Sequence, residues 1–281
     1  MSRTPHILVF DSGLGGLTVY DEIRRARPGA HYVYAADDAA FPYGRLYSPE
    51  LLARVELVIE WLVARRRPDI VVIACNTAST LVLPHLRARF PDLPFVGTVP
   101  AVKPAAAASL SGLISVLATP GTVARDYTRE LIREYAAQCQ VTLVGSTPLA
   151  SIAEAFMRGE PVRDDGVSAE IAPCFVEADG RRTDAVVLAC THYPLLFAQF
   201  ERLAPWPVAW IDPAPAIARR VDSVLTERGF AGSNDEPGDG RAVFTSGRPP
   251  EAPLVDVLRG RGLFESAGDA LPFECADIRP A

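Results

Sequence analysis

The chain reads as α/β: two pseudo-symmetric α/β domains with parallel-sheet cores, expected to face each other across an active-site cleft. Three observations predict this. Short β-branched runs alternate with longer helical stretches, the pattern of parallel strands joined by helical crossovers. Runs such as IVVIA (Ile70–Ala74) and AVVLA (Ala185–Ala189) are apolar at every position, as strands covered on both faces must be. A segment also repeats. DIVVIACNT (Asp69–Thr77) and DAVVLACTH (Asp184–His192) each place an acid before an apolar strand and a cysteine after it. A weaker echo pairs ILVFDSG (Ile7–Gly13) with LISVLATPG (Leu113–Gly121).

The strands are expected, in order, over Ile7–Phe10, His31–Ala35, Ile70–Ala74, Phe95–Val96, Leu113–Leu117, Val141–Val144, Ala185–Ala189 and Val208–Ile211. Glu50–Arg66 carries Leu51, Val55, Val58, Ile59 and Leu62 near a 3.6-residue period and is expected to be helical. A second helix is expected over Thr122–Gln138, after the Pro120-Gly121 turn. A third covers part of Pro161–Ala178 and is interrupted by Pro173. Pro213–Arg228 follows Asp212, a plausible N-cap with proline at the first helical position. GSNDEPGDGR (Gly232–Arg241) reads as a mobile loop, and the last forty residues as peripheral strands and helices with a loose end.

A length of 281 residues fits two domains at roughly 150 residues each. Hydrophobic residues at 49% and charged residues at 22% supply a substantial core and argue against disorder. The net charge of -6 argues against a nucleic-acid partner. The basic run Arg65–Arg67 suits a solvated helix C-terminus before Pro68. No apolar stretch is long enough to span a membrane, and the N-terminal apolar run is too short for a signal peptide, so a cytoplasmic location is expected.

The five cysteines are odd in number and form no CxxC pair, so neither a disulfide framework nor a metal site is expected. Lys103 is the only lysine, beside Pro104 and away from every motif. It alone could serve pyridoxal phosphate, and no cofactor is expected.

Ligands of open parallel sheets bind beyond the carboxyl ends of the strands, where Cys75 and Cys190 both fall. One such cysteine alone is usually a small buried hydrophobe. Two at matching points of a repeat suggest two acid/base groups on opposite faces of one carbon. A thiol suits that task because its ordinary pKa, near 8.5, can be tuned toward neutrality. A helix N-terminus after each strand would favour the thiolate. His192 could help Cys190 ionise or bind a carboxylate. Asp11 could hold an ammonium group or assist Cys75. Gly13, Gly15 and Gly16 form a flexible turn, lacking dinucleotide spacing, that could bring backbone N–H groups to an anion. Ser12, Asn76, Thr77 and Thr191 are small hydrogen-bonders at strand ends. The turn at Tyr43 and Gly44 could close over a ligand. Cys139, Cys174 and Cys275 have no comparable setting.

Taken together, the motifs resemble those of the glutamate racemases. DSGLGGL spans Asp11–Leu17, FPYG Phe41–Gly44, ACNTAS Ala74–Ser79, ATPGTV Ala118–Val123, ACTHYPLL Ala189–Leu196 and IDPAPAIARRV Ile211–Val221. The resemblance implies a first domain of residues 1–98 plus 208–281 and a second of residues 99–207. It implies cofactor-independent proton transfer, with Cys75 taking the α-proton from D-glutamate and Cys190 from L-glutamate. Substrate contacts then fall to Asp11, Ser12, Tyr43, Gly44, Asn76, Thr77, Thr191 and His192, with Thr119 and Thr122 as further contacts. Peptidoglycan synthesis would use the product, and a homodimer is implied. Two departures stand out. The family's Cys-Pro segment before a supporting glutamate reads Ser146-Thr147-Pro148, with Glu154 at a shortened spacing, and Asp38 stands where a threonine is common.

Other readings are a racemase for aspartate or another amino acid, a related decarboxylase, a hydrolase with one nucleophilic cysteine, and a non-catalytic binding protein. The duplicated cysteine argues against the last three.

Overall fold

The computed structural model describes residues 3–230 and 238–265. The chain divides into two compact units, Met1–Thr98 with Ala214–Ala281 and Val99–Pro213.

The first unit opens with β1 (His6–Asp11), α1 (Leu17–Ala26), β2 (His31–Ala36), α2 (Ser48–Arg66), β3 (Ile70–Ile73), α3 (Asn76–Arg89) and β4 (Phe95–Gly97). The second holds α4 (Val102–Ala108), β5 (Leu113–Ala118), α5 (Pro120–Val123), α6 (Asp126–Tyr135), β6 (Gln140–Gly145), α7 (Leu149–Met157), α8 (Asp164–Ile171), β7 (Glu177–Ala178), β8 (Arg181–Arg182), β9 (Ala185–Ala189), α9 (Phe197–Leu203) and β10 (Ala209–Ile211). The chain then returns to the first unit with α10 (Ala214–Glu227), β11 (Gly240–Phe244), α11 (Ala252–Gly260) and β12 (Leu263–Glu265).

The first unit is built on a six-stranded sheet ordered β12-β11-β2-β1-β3-β4, the second on a four-stranded sheet ordered β10-β9-β5-β6. Every pairing in both is parallel. The short β7–β8 hairpin is antiparallel. Ile7 to Phe10 of β1 and every residue of β3 and β9 are buried, which explains their unbroken apolar runs. Each large side chain so buried contributes about 1.5–3 kcal/mol.

Register decides what emerges at the carboxyl edges. Phe10 pairs with Ile73, and Asp11 with Ala36. The Asp37 N–H donates to the Asp11 carbonyl and the Ala74 N–H to the Phe10 carbonyl, which carries both ladders one residue further. Asp11, Asp37 and Cys75 therefore leave the sheet at one edge. In the second unit Ala118 pairs with both Ala189 and Gly145, bringing out Thr119, Cys190 and Ser146 together. The strand before each repeated cysteine lies beside the strand of the weaker echo: β3 beside β1, and β9 beside β5.

Several expectations need correction. Strand β10 pairs with β9, so the return to the first unit begins at Ala214 and not at 208. The helix expected over Thr122–Gln138 is two helices. Arg125 is extended between them, and the Thr128 hydroxyl takes the Thr122 carbonyl that a continuous helix would use. The stretch 161–178 is α8 followed by a 3-10 turn containing Pro173. The loop expected over 232–241 lies in part outside the described residues (231–237), and Gly240 and Arg241 belong to β11. Strand β11 is a central strand between β12 and β2, not a peripheral one. Its five residues open with glycine and arginine, which hides the apolar pattern. Cys275 lies outside the described residues. No helix among the described residues is long and apolar enough to cross a membrane.

Candidate active site

In the first unit, Cys75 is the N-cap residue of α3 and is buried. Its Sγ lies 3.7 Å from Ser12 Oγ, placing the loop after β1 against the thiol. A sulfur here meets the positive end of the helix dipole, which favours an anion. Asn76 and Thr77 form the first turn of α3 and are also buried. Asn76 is 1% exposed, yet neither its Nδ2 nor its Oδ1 has a hydrogen-bond partner among the described residues. A buried unpaired amide costs about 1–3 kcal/mol, so it marks a place where something else bonds.

Asp11 ends β1, fully buried, and its Oδ2 accepts the Gly13 N–H at 3.1 Å. Gly16 is the N-cap residue of α1. The expected flexible glycine turn is firmly packed instead. None of Gly13, Gly15 and Gly16 takes a left-handed φ. The Gly15 and Gly16 carbonyls accept helix hydrogen bonds, and the Gly13 carbonyl accepts from Tyr34 OH at 2.6 Å. Gly16 is required by crowding, since a Cβ there would stand 2.7 Å from Asp11 Cβ.

Tyr43 opens a 3-10 turn (Tyr43–Arg45) with Gly44 half-buried beside it. Its phenol is buried and donates to Asp37 Oδ2. Burial, and then the Asp37 charge, hold the Tyr43 phenol well above its usual pKa; Cys75 is near enough to add to the effect. Tyr43 therefore stays a neutral phenol. Asp37 also receives Arg54 Nε at 2.9 Å and Nη2 at 2.5 Å, both partners being buried. Sequence reasoning did not single out Asp37 or Arg54. The available signal was an acid directly after an apolar strand, the same pattern that marked Asp11.

In the second unit, Cys190, Thr191 and His192 follow β9 and are all buried. The expected helix N-terminus does not follow Cys190 directly. A 3-10 turn (Tyr193–Leu196), with His192 at its N-cap position, comes first. Cys190 has an imidazole instead: His192 Nδ1 lies 3.9 Å from Sγ. The other ring nitrogen lies 3.0 Å from Glu154 Oε2, on α7. Burial alone would push the imidazole toward its neutral form. Hydrogen bonds and charge from Cys190 and Glu154 outweigh that and raise His192 well above its ordinary value. The ring therefore holds its proton to a higher pH than an ordinary imidazole does. The shortened spacing in front of Glu154 does not keep it from His192. Arg158 Nη2 approaches the other Glu154 oxygen at 3.4 Å.

Thr119 caps α5, its Oγ1 accepting the Thr122 N–H and lying 3.1 Å from Thr122 Oγ1. The Cys174 thiol is pushed up to about 12 by burial and stays protonated. Lys103 sits on α4 with Nζ over the Tyr135 ring.

Residues 7–221 match the model of the Asp/Glu/Hydantoin racemase family. A curated glutamate racemase of Sinorhizobium medicae is 56% identical over 266 residues, covering 94% of this chain and 97% of the relative. The chain belongs to this racemase family. The racemase also superposes on solved structures. A glutamate racemase of Escherichia coli, crystallised with L-glutamate and the activator UDP-MurNAc-ala, gives a TM-score of 0.83 at 39% identity, over 94% of this chain and 99% of that one. A glutamate racemase isoform of Bacillus anthracis gives 0.78 at 25% identity, over 96% and 98%. The α/β fold with parallel sheets read from the sequence is the fold of these structures.

Proposed function

We propose that this racemase interconverts L- and D-glutamate without a cofactor, using Cys75 and Cys190 as two acid/base groups on one substrate. The observation that carries the chemistry is the duplicated strand-end cysteine: each parallel sheet delivers one buried thiol at the carboxyl end of an equivalently placed strand. The choice of glutamate is supported by the curated relatives.

Starting from D-glutamate, the Cys75 thiolate takes the α-proton, leaving the electron pair delocalised into the α-carboxylate. Cys190 then delivers its thiol proton to the opposite face. The product is L-glutamate, with Cys75 now a thiol and Cys190 a thiolate; the reverse reaction exchanges the roles. Cationic His192, held by Glu154, stabilises the Cys190 thiolate after proton delivery. On the other side, Ser12 and the α3 N-terminus attend Cys75. The Asn76 amide offers two donors and an acceptor to the substrate's polar groups. Asp11, Ser12, Tyr43, Gly44, Thr77 and Thr191 are assigned as further contacts, Asp11 being suited to the ammonium group. The enzyme is further expected to act as a cytoplasmic homodimer supplying D-glutamate for peptidoglycan.

The test incubates purified protein with L-glutamate in deuterated water, with no cofactor added, following optical rotation and α-deuterium together. Racemisation with solvent deuterium at the α-carbon is expected. Cys75→Ser and Cys190→Ser should each lower racemisation by about a hundredfold or more. Exchange with aspartate and none with glutamate would move the substrate. No exchange with any amino acid would overturn the proposal.

A further inference from the structure

Asp37 and Asp38 are adjacent, but their side chains make different attachments. Asp37 binds Arg54 of α2 and the Tyr43 phenol. Asp38 reaches the end of β11: its Oδ1 accepts the Ser246 N–H at 2.9 Å and its Oδ2 accepts the Ser246 hydroxyl. Thr245 sits between the two. Its hydroxyl donates to Asp37 Oδ1 at 2.6 Å and accepts the Ala39 N–H at 3.2 Å. The Thr245 N–H donates to the Ala36 carbonyl, so this corner continues the β11–β2 ladder. Asp38–Ala40 is a 3-10 turn, and Phe41 follows it directly. The direction in which the chain enters Phe41–Gly44 is therefore set by a segment more than two hundred residues later in sequence.

We propose that Asp38 and Ser246 form a positioning clasp that holds the Phe41–Gly44 turn in place for substrate binding. This rests on the reading that Tyr43 and Gly44 contact substrate. The clasp touches neither thiol, so it acts on binding and not on proton transfer. Because the two enantiomers are equally stable, kcat/KM must change by the same factor in both directions, so with kcat unchanged KM rises alike for both. The carboxylate is needed as an acceptor more than as a charge. An asparagine at 38 can accept the Ser246 N–H, whereas an alanine cannot.

The experiment compares wild type, Asp38→Ala, Ser246→Ala and Asp38→Asn by steady-state kinetics in both directions, with melting temperature as a control for folding. Amide hydrogen exchange across residues 38–47 is measured on the same samples. Asp38→Ala, which removes both bonds, should raise KM for L- and D-glutamate by the same factor, about tenfold, as for loss of a charge-assisted hydrogen bond, and Ser246→Ala, which keeps the backbone N–H, should raise both by a smaller factor. kcat and its pH profile should hold within about a factor of two, as for loss of uniform binding. Asp38→Asn should recover most of the loss. Exchange at Ala40, Arg45 and Leu46 should quicken in the two alanine variants. Unchanged exchange would overturn the clasp, and quickened exchange with unchanged KM would overturn its role in substrate binding. A fall in kcat with a shifted pH profile would overturn it too, since a binding device leaves proton transfer alone. Should wild type act on another amino acid instead, the kinetic arm uses that substrate; the exchange arm is independent of the substrate assignment.

Discussion

Glu154 Oε2 and Cys190 Sγ lie at opposite nitrogens of one imidazole, with 3.0 Å from the carboxylate to His192 Nε2 and 3.9 Å from the sulfur to Nδ1. The carboxylate and the sulfur hold the proton on the ring to a higher pH, against the cost of burying it. Glu154→Gln should therefore lower the pH at which His192 loses its proton, as read from its imidazole resonances by NMR. kcat/KM should fall by about tenfold to a hundredfold, a fraction of the general acid–base contribution. The fall must be the same in both directions, because the two enantiomers are equally stable. An unchanged His192 midpoint would remove Glu154 from this role.

The same pair has a consequence for stability. The folded His192 value lies above the ordinary 6.5, so its protonation favours the folded chain. That contribution is complete below about pH 6.5 and disappears as pH rises through the higher folded value. Urea midpoints for wild type should carry this component, and His192→Asn should remove it. Identical pH dependence in the two proteins would sink the assignment.

Asn76 sets binding against stability. Its amide is buried without a partner among the described residues, so the apolar, similarly sized Asn76→Leu relieves an unmet desolvation cost of about 1–3 kcal/mol. The variant should melt no lower than wild type and have almost no racemase activity. A large drop in melting temperature with activity retained would mean that the amide has a structural partner.

Gly16→Ala puts a methyl group 2.7 Å from Asp11 Cβ and 3.2 Å from Ala74 Cβ. Both neighbours are fixed close to the backbone at strand ends, so neither can swing aside. Destabilisation of about 1–3 kcal/mol is expected, as for overpacking. Activity at temperatures where the variant stays folded should also fall, because Asp11 is the atom group displaced. Full activity would show that Asp11 tolerates displacement.

Arg54→Met leaves the Asp37 carboxylate buried without its guanidinium. Loss of about 3–5 kcal/mol is expected by chemical denaturation. Adding Asp37→Asn, which removes the stranded charge, should recover part of it. A double variant no more stable than Arg54→Met alone would argue against charge burial as the cause.

The amino-acid sequence by itself determined the strands at the centre of each sheet and the strand-end position of both cysteines. A strand covered on both faces must be apolar throughout, and IVVIA and AVVLA state that in one dimension. The duplication was equally visible, because two copies of one local pattern need no three-dimensional information to compare. Sequence-distant partnerships were decided only by tertiary structure. Glu154 meets His192 across 38 residues and Arg54 meets Asp37 across 17. Ser246 meets Asp38 across 208. Strand β11 became central only because β2 offered it an unpaired edge, whose hydrogen-bonding groups carry no side-chain signature. The crowding at Gly16 likewise depends on where Asp11 and Ala74 arrive from two different strands. Hydrophobic burial leaves a periodic trace along the chain, whereas a polar contact between distant segments is a coincidence of register that only the assembled sheet creates.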